Sequence, residues 1–212
     1  MLTLTTIVAF YAVLPVPERI IQSPCPTSEI VDRCMLLILN PHVHAKNKVL
    51  CAELDGYAEI MMPTYNKLLM SPETNRAIVN GILGEVIRQK RIDRSLFIPT
   101  CHELLKSQYA FGALRLLAEI ASDHDTAPIH VLLLDHSDAI RIQASETIGK
   151  VGGKKDVVAL DLWLRSGNWH DDKHHKERVQ KMRDELVAKL KKEDDYRNSK
   201  PDPSVLKAKP SR

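Results

Sequence analysis

Apolar residues in this chain recur at helical spacing between short polar breaks, and the clearest example lies in its third quarter. Ile140, Ala144, Ile148 and Val151 follow one another at intervals of four, four and three residues. That spacing places them on one face of an α-helix, and Gly152-Gly153 ends it. Ahead of it, a short helix opening at Thr126-Ala127-Pro128 carries Ile129, Val131, Leu132, Leu133 and Leu134, and the turn Asp135-His136-Ser137-Asp138 closes it. A further helix is expected over about 156–165.

The same reading predicts helices along most of the chain. Thr27-Ser28-Glu29 opens one that carries Ile30, Val31, Cys34, Leu36, Leu37 and Leu39. Asn40-Pro41 stops it, because proline disfavours helical geometry in the residue before it. A second helix is expected from about Val43 to Ile60, with Pro63 separating it from a short helix containing Leu68, Leu69 and Met70. Ser71-Pro72-Glu73 then reads as a helix start, with a hydroxyl cap, a proline in the first turn and an early carboxylate. After Gly167-Asn168 a last helix is expected to run over about 168–195, with Val179, Met182, Leu186 and Leu190 as its stripe. Residues 196–212 contain three prolines and few apolar side chains, the composition of a disordered basic tail.

The helical pattern repeats. A shift of 31 residues sets Tyr109, Ala113, Leu117 and Ala118 on Ile140, Ala144, Ile148 and Gly149, and a shift of 65 sets Arg76, Val79, Leu83 and Gly84 on Arg141, Ala144, Ile148 and Gly149. The run from Asp135 through Ile140-Arg141, Ala144 and Ile148-Gly149 to Val151-Gly152 resembles the second half of a HEAT repeat. The resemblance is clearest over 71–165 and implies an all-α chain: an α-α superhelix of stacked antiparallel helix pairs spanning 1–195. Each pair in such an array has an apolar face that only its neighbours can bury, and small residues such as Ala144, Gly149 and Ala118 permit close approach. The resemblance also implies a structural role for Asp135 and Arg141, whose counterparts bond between successive HEAT repeats. The upstream segments lack that aspartate.

Composition agrees with helices packed on helices. Apolar residues make up 44% of the 212 positions, but aromatic residues only 5%. Cys25, Cys34, Cys51 and Cys101 stand far apart and contain no C-x-x-C pair, which suits reduced thiols in a cytoplasmic protein. Residues 7–14 form an apolar run, yet no Lys or Arg precedes Arg19, whereas a secretory leader opens on basic residues. The run is expected as a first helix or as the edge of a truncation, and no stretch approaches the roughly 20 apolar residues of a membrane span. Net charge is +3 and uneven. From Lys173 onward 13 Lys or Arg face 7 Asp or Glu, so residues 1–172 carry 17 against 20.

Candidate chemistry is sparse. His170-Asp171-Asp172-Lys173-His174-His175 holds potential metal ligands four residues apart, but Lys173 and Lys176 repel a cation, and a solvated helix start is expected instead. Cys101-His102-Glu103 contains one His-Glu dipeptide; the HEAT-type deoxyhypusine hydroxylases hold iron with several, on different repeats. Adjacent Cys101 and His102 also point to different sides of a helix. Gly152-Gly153-Lys154-Lys155 lacks phosphate-loop spacing and reads as an inter-helix turn, and Asp123 and Asp125 around His124 read as caps. No metal, cofactor or catalytic residue is assigned.

The expected function is therefore binding. A non-catalytic adaptor or scaffold would present a concave helical face to a protein partner, with Gln143, Glu146 and Lys150 as candidate contacts because they lie off the Ile140–Ile148 stripe. The alternative is a module that grips a nucleic-acid backbone, suggested by the basic C-terminus and opposed by the acids interleaved with its lysines. A weaker resemblance runs from Pro24-Cys25 through Glu29-Ile30-Val31 to Asn40-Pro41-His42-Val43-His44-Ala45-Lys46, which is similar to a helical stretch in the core of U-box ubiquitin-chain elongation ligases. This chain has Asn47 and Lys48 where that family continues with apolar residues.

Overall fold

The computed structural model describes residues 27–40, 47–166 and 173–199, with side chains to residue 194. Among the described residues the chain is all helical, with nine α-helices and no strand. Met1–Asp93 and Arg94–Arg212 form two compact units. The apolar run at 7–14, the segments 41–46 and 167–172, and the tail from residue 200 lie outside the described residues.

The first unit contains α1 (Ser28–Ile38), α2 (Lys48–Met70) and α3 (Arg76–Arg88), each packed on the other two. Helix α1 begins where its sequence signals, with the Thr27 hydroxyl accepting the Ile30 N–H. Asn47 caps α2 in the same way, its side-chain oxygen accepting from Val49 and Leu50. Pro63 does not divide this region: α2 passes through it unbroken. Proline removes one backbone donor, but its ring sits at an exposed position. Met61, Met62, Tyr65 and Leu69 on either side are buried and hold both halves of the helix to one core.

Ser71-Pro72-Glu73 does not open the next helix. Those residues form a turn in which the Thr74 hydroxyl donates to the Leu68 carbonyl, and Asn75 is the cap, accepting the Ile78 N–H at 3.0 Å.

Between these helices lie polar contacts, centred on buried Glu85 and Gln89 and otherwise partly exposed, that composition does not announce. Arg33 on α1 makes a two-pronged bond to Glu53 on α2, at 2.5 and 3.0 Å. Glu85 on α3 is only 1% exposed and accepts from Arg88 at 2.8 and 2.9 Å and from Gln89 at 2.7 Å. Arg88 and Gln89 reach across to Asp55 on α2. A carboxylate can be buried when its lone pairs are satisfied in this way. Removing a partner of Glu85 would leave a buried carboxylate unsatisfied.

The second unit contains α4 (Ile98–Leu104), α5 (Ala110–Ile120), α6 (Ala127–His130), α7 (Asp138–Val151), α8 (Lys154–Ser166) and α9 (Lys173–Ser199). The sequence places the last helix at about 168–195, whereas α9 is described from 173 and continues to 199. Helices α5 and α7 pack directly together. Ala113 and Leu117 on one and Ala144 and Ile148 on the other, paired by the 31-residue shift, are all buried. Buried Thr147 adds a bond across this contact, its hydroxyl donating to the Leu114 carbonyl at 3.0 Å. Helix α9 packs on both α7 and α8. Gly149 is the point of closest approach: a Cβ built there would stand 3.1 Å from the Met182 Cβ.

Candidate functional site

Two surfaces of the second unit concern binding: the face of α7 expected to meet a partner, and a groove beside its start. The face of α7 is engaged within the molecule. Glu146 pairs with Arg178 of α9, Lys150 pairs with Glu119 of α5, and the Lys150 carbonyl accepts from Lys189 of α9. Gln143 is half-buried, and its carbonyl accepts the Thr147 hydroxyl. The side chains of Glu146 and Lys150 join α7 to α9 and α5, so a partner there would meet paired charges.

Asp135 and Arg141 also act locally. Arg141 donates to the carbonyls of Asp135 at 2.6 Å and His136 at 3.3 Å and pairs with the Asp138 carboxylate. The Asp135 carboxylate accepts the Ser137 N–H at 2.8 Å. The guanidinium thus ties off the turn ahead of its own helix. The ladder between repeats implied by the HEAT resemblance would use the Asp135 carboxylate, which here serves the turn. Ala144 is fully buried, as close helix packing requires.

The turn that Arg141 closes forms one wall of a groove of about 730 Å³. That wall carries Pro128, Val131, Leu132, Asp135, Ser137 and Ile140, and the other carries His102, Leu105, Lys106, Ser107, Gln108 and Ala110. The second wall is shaped by the tight connection between α4 and α5. The Ser107 hydroxyl donates to the Leu104 carbonyl at 2.8 Å and accepts the Tyr109 N–H at 3.2 Å. His102 is fixed by a 3.1 Å bond between its Nε2 and the Asp125 carbonyl. On the 3₁₀ turn Val131–Leu134, Leu133 is buried while Val131 and Leu134 are each 73% exposed. Two large apolar side chains of this turn are thus held well into water.

Several of the remaining candidates make structural contacts. Asp125 forms a capping box with Ser122, accepting both its N–H and its hydroxyl at 2.8 Å. Gly152 and Gly153 make the turn into α8, and the Gly153 N–H donates to Asp156 at 2.7 Å. Cys101 is fully buried, and burial pushes its thiol up to about 12, so it is held protonated. His170, Asp171 and Asp172 lie outside the described residues. Among the described residues no cluster of three or more His, Cys, Asp or Glu side chains is placed to hold a metal ion.

One pairing was not visible in the sequence. His130 Nε2 lies 2.6 Å from Asp156 Oδ1, and Asp156 is completely buried. The spacing from Gly153 to Asp156 signals a helix cap, but nothing local connects Asp156 to a histidine 26 residues away. The pair fastens α6 to the start of α8. Thr126, also buried, turns its hydroxyl inward to the Asp123 carbonyl at 3.0 Å.

No protein-family model matches the chain, and no curated protein matches it. Among the described residues no helix is long and apolar enough to cross a membrane.

Proposed function

We propose that this chain is a non-catalytic adaptor of HEAT-like helical repeats that binds a protein partner through its second unit. The observation that carries the reading is the groove between the α4–α5 connection and the Val131–Leu134 turn, with Val131 in its lining and Leu134 exposed on the same turn. Its lining mixes aliphatic surface with Gln108, Ser107 and Ser137. Buried equivalents Val79 and Leu83, Ala113 and Leu117, and Ala144 and Ile148 on α3, α5 and α7 support the repeat reading. The partner surface is thereby assigned to the groove in preference to Gln143, Glu146 and Lys150.

The two arginines of α9 that carry ion pairs are less available to a nucleic-acid backbone. Arg178 is paired with Glu146, and Arg183 with Asp161 and Asp184. A cation already neutralised contributes little to phosphate binding.

The test is affinity capture from cell extract with the native chain and with the double variant Val131→Glu, Leu134→Glu. Both positions are exposed, so the variant should keep the native melting temperature. The reading predicts a stoichiometric protein captured by the native chain, lost with the variant, and cross-linked through Lys106. Capture that is indifferent to the variant, or recovery of nucleic acid in place of protein, contradicts it.

A further inference from the structure

On α8 the side chains Lys155, Val158, Leu162 and Arg165 stand three, four and three residues apart, which aligns them along one side of the helix. This is the side away from the core. Asp156, Leu160, Trp163 and Leu164 are buried, whereas Val158 is 58% exposed and Leu162 61%. The neighbouring charges are accounted for: Lys154 pairs with Asp194 at 2.7 Å and Asp161 with Arg183 at 2.9 Å, both toward α9. Lys155 and Arg165 are exposed and have no carboxylate partner among the described residues. The stripe therefore reads cation, apolar, apolar, cation, with the two charges roughly 15 Å apart along the axis.

We infer that this outer stripe of α8 is a docking surface for an acidic amphipathic segment of a partner protein, with apolar side chains at its centre and a carboxylate toward each end. Charge complementarity selects this occupant. A second copy of the chain would set Lys155 and Arg165 against like charges. A nucleic-acid backbone would bring phosphates over Val158 and Leu162, where they lose hydration and gain no donor. A lipid surface is held by larger basic clusters than two isolated cations. The stripe is separate from the groove by which the adaptor reading stands, so either can fail alone.

The full chain is screened against displayed random peptides of about 16 residues, roughly 24 Å as a helix and long enough to span both charges. The expected winners carry Asp or Glu on both sides of Leu, Ile, Phe or Met. Their affinity should fall about tenfold in the variant Lys155→Glu, Arg165→Glu, because two exposed ion pairs become repulsions. The same variant should bind the charge-inverted peptide better than the native chain does. Val158→Ser, Leu162→Ser should weaken the native pairing, and Val131→Glu, Leu134→Glu should leave it unchanged. All these positions are exposed, and unchanged helicity and melting temperature confirm the fold. A library that yields no binder, winners without acidic bias, or affinities unaffected by the α8 variants overturns the inference. So does stronger, Lys155- and Arg165-dependent binding to a short DNA duplex or to phosphatidylserine vesicles.

Discussion

Glycines show how differently one residue type can be used in this chain. Gly56 lies inside α2 at an exposed position, with nothing within 4 Å of a Cβ built on it. Replacing it with alanine removes backbone freedom from the unfolded chain without a clash. Gly56→Ala is expected to stabilise by about 0.5–1 kcal/mol. Gly149 faces Met182 with almost no clearance, so Gly149→Leu would force α7 and α9 apart at a cost of about 1–3 kcal/mol. Urea unfolding of the two variants beside the native chain checks both signs. That Gly149 is a small residue on α7 was legible, but its contact on α9 was not, because sequence spacing gives a face and not its neighbour.

The cysteines divide by environment. Burial pushes the thiols of Cys34 and Cys101 up to about 12, and Cys34 is also hydrogen-bonded to Tyr65. At pH 8 their thiolate fraction is about a thousandfold below that of a thiol at the ordinary value of 9.0. Alkylation followed residue by residue should leave both unmodified in the folded chain and label them once urea is added. The same shift makes the unfolded chain release these protons first as pH rises. Stability is therefore unaffected below about 9 and falls between about 9 and 12. Labelling of Cys34 or Cys101 as fast as in urea contradicts their burial.

At the scale of elements, helices with strong apolar stripes were readable and their ends less so. Thr27 and Gly152 mark ends where expected, because a cap and a stop are local chemistry. Ser71-Pro72-Glu73 has every local mark of a helix start, yet Asn75 takes that role and the earlier residues turn. Pro63 misleads in the other direction, since burial of Met61, Met62, Tyr65 and Leu69 outweighs one lost hydrogen bond. The network of Arg33, Glu53, Asp55, Glu85, Arg88 and Gln89 was not legible at all: its members look like ordinary solvated charges until the helices are brought together.

The 3₁₀ turn Asp123–Asp125 gives an element-scale prediction. Burial pushes the Asp125 carboxyl up, but the bonds from the Ser122 N–H and hydroxyl, with the positive field of His102 and His124, leave it below its ordinary value. A depressed carboxylate contributes stability that is present above the unfolded value and lost as pH falls through the folded one. Asp125→Asn should therefore lower the melting temperature at pH 7, with the difference from the native chain shrinking as pH falls below about 4. A difference that stays constant from pH 7 to pH 3 would show that the capping box, and not the charge, is responsible.

At the scale of the molecule, two compact helical units are present, and the second holds both proposed contact surfaces. The all-α class follows from periodicity and low aromatic content. The groove does not, because its two walls come from residues 102–110 and 128–140 and its depth depends on how the intervening α5 packs. Gln143, Glu146 and Lys150 lie off the apolar stripe of α7 in the sequence, yet two of them meet Arg178 and Glu119. Helical spacing says which residues leave the core but not whether another helix covers them.

A protein seated in the proposed groove of the second unit would shield both its walls from water. Amide hydrogen exchange of the full chain, alone and saturated with the captured partner, tests this most directly. The account predicts slowed exchange over 102–110 and 128–140, and no slowing in the Val131→Glu, Leu134→Glu variant under the same conditions. Protection confined to residues 27–93, or protection unchanged by that variant, would contradict it.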